Sequence, residues 1–142
     1  MSPTVKNVLA VIAGLIAGSV INGFIIMLSS SVIPPPPGVD VTSAEGLKSS
    51  MHLFQPRHFI MPFLAHAIGT FAGAAVAAAI AATRKMRFAM VISYFFLAGG
   101  IINVFILPAP LWFAAVDLLF AYLPMGYLAG RMAERRTGLG GK

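Results

Sequence analysis

Four long apolar runs constrain this chain more than any other feature of its sequence. They cover about residues 5–29, 59–82, 88–107 and 111–132. A helix needs about 20 mostly apolar residues to cross the hydrocarbon core of a bilayer, where helices satisfy their own backbone hydrogen bonds and open sheets do not. Hydrophobic residues make up 58% of the chain and charged residues only 10%, whereas soluble domains have about 25% charged residues. The sequence predicts an all-α, polytopic integral membrane protein in which residues 1–142 form a single domain of four transmembrane helices.

Composition excludes several classes of function. The chain has no cysteine, so disulfides, thiolate metal sites and cysteine nucleophiles are excluded. The formal charge of +6 comes from basic residues that flank the apolar runs, and no basic stripe with interleaved aromatic residues is present, so no nucleic-acid partner is expected. We expect the surroundings of the chain to be a lipid bilayer.

The basic residues near the helix ends predict the orientation in the membrane. Of the 10 Lys and Arg residues, only Lys48 and Arg57 fall on one side of the four predicted spans. The positive-inside rule therefore predicts that the N and C termini are cytoplasmic. In a bacterium this arrangement describes a multi-pass inner-membrane protein with residues 30–58 as an outer loop.

The outer loop, residues 30–58, is the only long polar segment. Pro34 to Pro37 predict a stiff, extended spacer. Ser43 is a suitable N-cap, and apolar residues at helical spacing follow it, which predicts a short amphipathic helix over about 43–54. This helix would lie on the membrane surface or cover the mouth of the bundle. Its apolar side would carry Leu47, Met51 and Phe54.

Small residues on the predicted helices indicate where backbones approach one another. Residues four positions apart share a helix face, and small residues on such a face allow close packing of membrane helices. We expect packing within the chain to use this feature in the first three helices. The glycines concerned are Gly14, Gly18, Gly69, Gly73, Gly99 and Gly100.

The fourth helix contains a further pair of glycines, Gly126 and Gly130. Gly126 follows Asp117 by nine residues, which at about 100° per residue places the two on opposite sides of a continuous helix. If Asp117 faces inward, the two glycines face outward. The spacing therefore predicts that they form a face for a homo-oligomer or for docking in a larger membrane complex. Pro124 can kink the helix and alter this geometry.

An internal similarity links the first and third helices. Ala17 to Ile25 and Ala98 to Ile106 share the pattern A-G-x-[VI]-I-N-x-F-I. This pattern would fit a parallel repeat of two helical hairpins. Chance matches arise easily in apolar sequence, and the second and fourth helices align poorly.

One strongly polar side chain lies at a similar depth in each predicted helix. At about 1.5 Å per residue, each of these side chains lies roughly 6–10 Å below the outer end of its helix. Ionisable groups within a membrane are costly, and they normally face the bundle interior and find partners. We expect a common intramembrane polar layer formed by Asn22, His66, Asn103 and Asp117.

His66 is the expected partner of Asp117, with the two asparagines completing the hydrogen bonding. The group has two interpretations: a structural polar cluster that fixes helix pairing, or a protonatable pair that lines a proton or solute path. The sequence predicts no metal and no cofactor, because haem ligation by two helices needs a second intramembrane histidine and no zinc-binding spacing is present. A site that combines His58 with His66 and Asp117 is the remaining alternative.

A hydrolase or transferase would need more polar groups than one histidine and one aspartate, so the chain is not expected to be an enzyme. The first functional expectation is a non-catalytic accessory, assembly or oligomeric membrane module. The alternative is a small solute or ion transporter, channel or sensor that uses the Asp117–His66 pair.

Overall fold

A computed structural model describes residues 1–139, and these residues form helices without strands. Two short 3-10 turns, Met51–Leu53 and Pro56–Phe59, connect the second helix to the third. The α-helices are α1 (Pro3–Val32), α2 (Ala44–Ser50), α3 (Ile60–Ile80), α4 (Lys85–Ile106), α5 (Leu111–Phe120) and α6 (Leu123–Leu139).

Four helical segments are long and apolar enough to cross a membrane, which confirms the prediction of an all-α chain with four candidate spans. They are Pro3–Val32, Pro56–Ile80, Lys85–Ile106 and Leu111–Arg136. The bounds differ mainly at the two ends of the chain. With 30 residues, α1 is about 45 Å long, which exceeds the roughly 30 Å of a hydrocarbon core. The last span consists of α5 and α6 with a break between them.

Helix α3 occupies the centre of the fold. It contacts α1, α4 and α6, whereas α1 packs mainly against α3 and only slightly against α4. The residues of α3 that are buried are chiefly alanine and glycine, so three helices can approach its backbone closely. In α1 only Ala10, Gly14 and Gly18 are buried, and its other sides carry the apolar side chains expected of a lipid-facing surface.

Four glycines form the crossing of α1 and α3. A Cβ atom at Gly73 would lie 2.6 Å from the carbonyl oxygen of Gly14, and one at Gly18 would lie 2.8 Å from that of Gly69. Real side chains do not tolerate these distances, and a backbone carbonyl cannot rotate away as a flexible side chain can. The two helices can therefore lie this close together only because these positions are glycine.

The two ends of the bundle differ in character. We call the end that carries both termini and the α3–α4 turn the termini end, and the end that carries residues 33–59 and 107–110 the loop end. The termini end contains a tightly packed cluster of small and branched residues contributed by α3, α4 and α6. Its buried members are Ala74, Ala77, Ala78, Ala89, Ile92 and Ala129.

The predicted outward face of the fourth helix is wrong. Gly126 and Gly130 are buried against α4: a Cβ atom at Gly126 would collide with the side chain of Ser93, and one at Gly130 would lie 2.5 Å from the sulfur of Met86. The glycines therefore pack within the chain, and no oligomer face is formed by them.

The break between α5 and α6 is the physical reason for this error. Pro124 has no backbone N–H, and its ring would clash with the carbonyl of Phe120 in a continuous helix. Helix α5 accordingly ends at Phe120, the Ala121 N–H donates to the Asp117 carbonyl at 2.9 Å, and α6 begins at Leu123. The rotation of 100° per residue is lost across the break, so Asp117 and Gly126 are not on opposite sides.

The expected role of Gly99 in helix packing is also wrong. This residue is exposed, and a Cβ atom placed there would meet nothing within 4 Å. Its neighbour Gly100 is buried against the ring of Tyr122. Of the two adjacent glycines in α4, only Gly100 takes part in helix packing.

Candidate functional site

The start of α2 is organised by a carboxylate. Asp40 accepts hydrogen bonds from the Thr42 N–H at 2.8 Å, the Thr42 hydroxyl at 2.6 Å and the Ser43 hydroxyl at 2.7 Å. These bonds, led by the one from the Thr42 side chain, lower the pKa of Asp40 from 3.8 to about 2. The Ser43 hydroxyl in turn accepts from the Gly46 N–H at 3.0 Å and caps the helix. These hydrogen bonds hold the backbone around Asp40 and Ser43 in one conformation where α2 begins.

Residues 43–59 cover the loop end of the bundle. We call this segment the lid. Its buried residues Met51 and Phe59 pack with Phe113 of α5, and the Phe59 and Phe113 rings lie 4.7 Å apart. Around them lie Leu47, Phe54, Phe63, Leu107 and Ala109. The apolar side of the lid therefore lies against protein.

A cavity of about 170 Å³ lies beneath the lid. We call it the covered cavity. Most of its wall is apolar, and Leu47, Met51 and Phe54 contribute to its upper side. The polar residues that line it are His58, His66, Asn103 and Asp117. Three of the four members of the predicted polar layer thus line one cavity, together with a histidine from the lid.

His66 and Asp117 are in direct contact. The Nδ1 atom of His66 lies 2.8 Å from Oδ1 and 3.0 Å from Oδ2 of Asp117. Asp117 is only 4% exposed, and its Oδ2 accepts a second hydrogen bond from the Tyr122 hydroxyl at 2.9 Å. A buried carboxylate is tolerated when its oxygens are paired in this way.

The contact with a carboxylate assigns a role to each ring nitrogen of His66. With Asp117 as the acceptor, the Nδ1–H of His66 donates to it, and Nε2 lies outside this contact. The His66 side chain is 16% exposed, and its ring stacks on Tyr122 with 5.8 Å between ring centroids.

His58 presents a further polar group to the covered cavity. Its Nδ1 accepts from the backbone N–H of Gln55 at 2.8 Å, which leaves the proton of the neutral ring on Nε2. That Nε2 atom is buried and has no hydrogen-bond partner. His58 is therefore both a cap of the turn Pro56–Phe59 and a candidate donor to a molecule in the cavity.

The two asparagines do not complete the hydrogen bonding of the pair. Their side-chain amides make no hydrogen bond to another described residue, and the second partner of Asp117 is Tyr122. Asn103 is exposed and lines the covered cavity, whereas half-buried Asn22 does not line it. Both asparagines line a separate cleft between α1 and α4.

Sequence reasoning missed Tyr122. Tyr122 follows Asp117 by five residues, which places it about 140° away on a continuous helix. The break after Phe120 turns it back toward the carboxylate. Tyr122 can occupy this position because residue 100 is glycine. A Cβ atom at Gly100 would lie 2.5 Å from the Tyr122 hydroxyl oxygen. Pro124 was the available signal, although it does not by itself specify which residue the break redirects.

Among residues 1–139, no three His, Cys, Asp or Glu side chains are grouped so that they could hold a metal ion. No protein-family model, curated protein or solved structure matches the chain. The chemistry of the site is therefore inferred from its own residues.

Proposed function

We propose that this chain is a small, non-catalytic membrane protein that takes up protons, or a small solute together with protons, in the covered cavity, as a transporter, channel or sensor. The observation that carries the proposal is the position of the His66–Asp117 pair. The pair lines a cavity, whereas a purely structural polar cluster would be surrounded by packed side chains. Because His66 retains a nitrogen outside the contact with Asp117, it can exchange a proton with an occupant of the cavity.

The role as an accessory, assembly or oligomeric module, the first expectation from the sequence, is the second candidate. The face that Gly126 and Gly130 were expected to offer to a second copy or a larger complex is not available to it, because both are buried against α4. No other face among the described residues carries a comparable argument for a homo-oligomer. We therefore favour the function that uses the cavity.

We further propose that the lid faces away from the cytoplasm. The excess of basic residues at the termini end supports cytoplasmic N and C termini, and in a bacterium the protein would lie in the inner membrane. The covered cavity would then receive its occupant from the outer side. Catalysis is not part of the proposal.

Proton flux into proteoliposomes tests the proposal. The protein is reconstituted with a pH-sensitive dye inside the vesicles, and a pH gradient is applied with the membrane potential clamped. We expect flux with the wild-type chain and its loss in Asp117→Asn, because the amide keeps the shape of the carboxylate and removes its charge. Glu45→Gln, an exposed change in α2, is the matched control and should retain the flux.

Thermal unfolding separates the two interpretations of the pair. Absence of flux with the wild-type chain, combined with a lower melting temperature for Asp117→Asn, would assign His66 and Asp117 to structure alone. Flux that persists in Asp117→Asn would show that the protons do not depend on the His66–Asp117 pair.

A further inference from the structure

A second opening, distinct from the covered cavity, lies between α1 and α4. The two helices meet where Gly14 faces Ile92 and Gly18 faces Phe96. Toward the loop end they part, and a Cβ atom at either Gly23 or Gly99 would meet nothing within 4 Å. The resulting cleft has a volume of about 300 Å³ and exposes part of α3 between the two helices. We call it the lateral cleft.

The lateral cleft is lined by polar groups without partners. Thr70 lines it and is 1% exposed, yet its hydroxyl oxygen makes no hydrogen bond. A threonine within a helix can satisfy its hydroxyl on the carbonyl one turn earlier, and Thr70 does not do so. The side-chain amides of Asn22 and Asn103 also line the cleft and hydrogen-bond to no described residue. Polar groups at membrane depth normally have partners, so this arrangement indicates that a ligand supplies them.

We propose that the lateral cleft binds an uncharged, membrane-soluble molecule with a small flat head that carries carbonyl or hydroxyl oxygens, such as a quinone. Amide and hydroxyl groups donate to such oxygens and accept from them. No Lys or Arg lines the cleft, so an anionic phosphate or carboxylate head would lack a counter-charge. Glycines at Gly23 and Gly99 leave room for a flat ring beside Phe96.

The position of the cleft determines the route of entry. It opens sideways between two membrane-spanning helices, where lipid surrounds the chain, so its ligand arrives from the bilayer. His66 and Asn103 line both the lateral cleft and the covered cavity. A bound head therefore lies beside the imidazole ring. The inference depends on Thr70, Asn22 and Asn103, and it does not require that protons pass through the covered cavity.

Binding of a radiolabelled short-tailed quinone, decylubiquinone, tests the proposal. The full chain is placed in phosphatidylcholine nanodiscs, and saturable binding is measured by scintillation proximity. We expect binding that is about 10-fold weaker in Thr70→Val and in Asn22→Leu, because each change removes one hydrogen bond to the head. Thr70→Val preserves the shape of the side chain and removes an unpaired hydroxyl, so it should fold at least as stably as the wild type.

Ser93→Ala is the matched control, because it also removes a buried hydroxyl from a helix. The Ser93 hydroxyl donates to the Ala89 carbonyl and does not line the cleft, so this variant should bind like the wild type. Unlabelled decane, which has a tail without a head, should not displace the probe. Equal, non-saturable retention by all variants would show partition into lipid and would overturn the proposal.

Occupation by a second copy of the chain would overturn the proposal too. Because the chain has no native cysteine, Asn22→Cys provides a single thiol at the cleft. Efficient disulfide cross-linking between two copies, together with no saturable probe binding, would identify the cleft as a contact between copies. Proton flux depends on Asp117 and probe binding on Thr70 and Asn22, so either result can fail without the other.

Discussion

Glycines at the two ends of the bundle have different surroundings. At the termini end, Gly14 and Gly73 bring the backbones of α1 and α3 into contact, and alanines fill the remaining space. Toward the loop end, Gly23 and Gly99 face open volume. The difference shows that a glycine on a membrane helix permits close approach without enforcing it. Close packing follows only where a neighbouring helix or side chain reaches the glycine, as Tyr122 does at Gly100.

The largest expected effect of a substitution falls on the packed crossing. Gly73→Leu places a side chain against the carbonyl of Gly14, which can be relieved only by separating the helices. We expect the free energy of unfolding to fall by about 3 kcal/mol or more, as measured by denaturant titration in detergent micelles. Gly99→Leu is the matched control at an open position and should change the stability little. A comparable loss in both variants would contradict the contrast between the two ends.

A smaller effect is expected at the polar cluster. Tyr122→Phe removes the hydrogen bond to the buried carboxylate of Asp117 and should lower the free energy of unfolding by about 1.5–3 kcal/mol, the range for hydrogen bonds to charged groups. Tyr94→Phe, at a position that is 57% exposed, should have no effect. Equal stability of Tyr122→Phe and the wild type would contradict a stabilising role for this hydrogen bond.

The smallest effect concerns Asp40, in the loop just before the lid. The folded pKa of Asp40, about 2, lies below its ordinary value of 3.8, so its hydrogen bonds stabilise the loop fully above the ordinary value and are lost as the pH falls through about 2. We expect the amide resonances of Thr42 and Gly46 to shift in that acid range and those of α3 to remain unchanged. In Asp40→Asn the acid-dependent shift should disappear. A shift that persists would assign the transition to another group.

Much of the architecture was predictable because a bilayer limits the choices. Four apolar runs of sufficient length lead to four helical spans, and glycines at four-residue spacing, such as Gly14 and Gly18, indicate faces where helices meet. The orientation of the termini and the internal repeat stay predictions, since neither can be read from helix packing. Placing His66 near Asp117 required only the depth of each residue within its own helix.

The other features of the site depend on the three-dimensional structure and could not be predicted from the spacing of residues along the chain. One proline ends the regular rotation of the fourth span, and this break both turns Gly126 inward and brings Tyr122 to Asp117. His58 belonged to a loop in the sequence, and its position on the cavity depends on how the lid folds over the bundle. The sequence placed Thr70 only beside a face of small side chains. Its position in the lateral cleft could not be predicted, because no sequence pattern indicates that α1 and α4 separate there.

The break after Phe120 also divides the last span into two mechanical units. The ten-residue segment α5 holds Asp117 and is attached to the lid through Phe113, while α6 is fixed to α4 at the opposite end. The lid is continuous with α3, which carries His66, and it also packs on α5, which carries Asp117. Both partners of the ion pair are therefore tied to the lid, on two different helices, whereas the packed alanines are not.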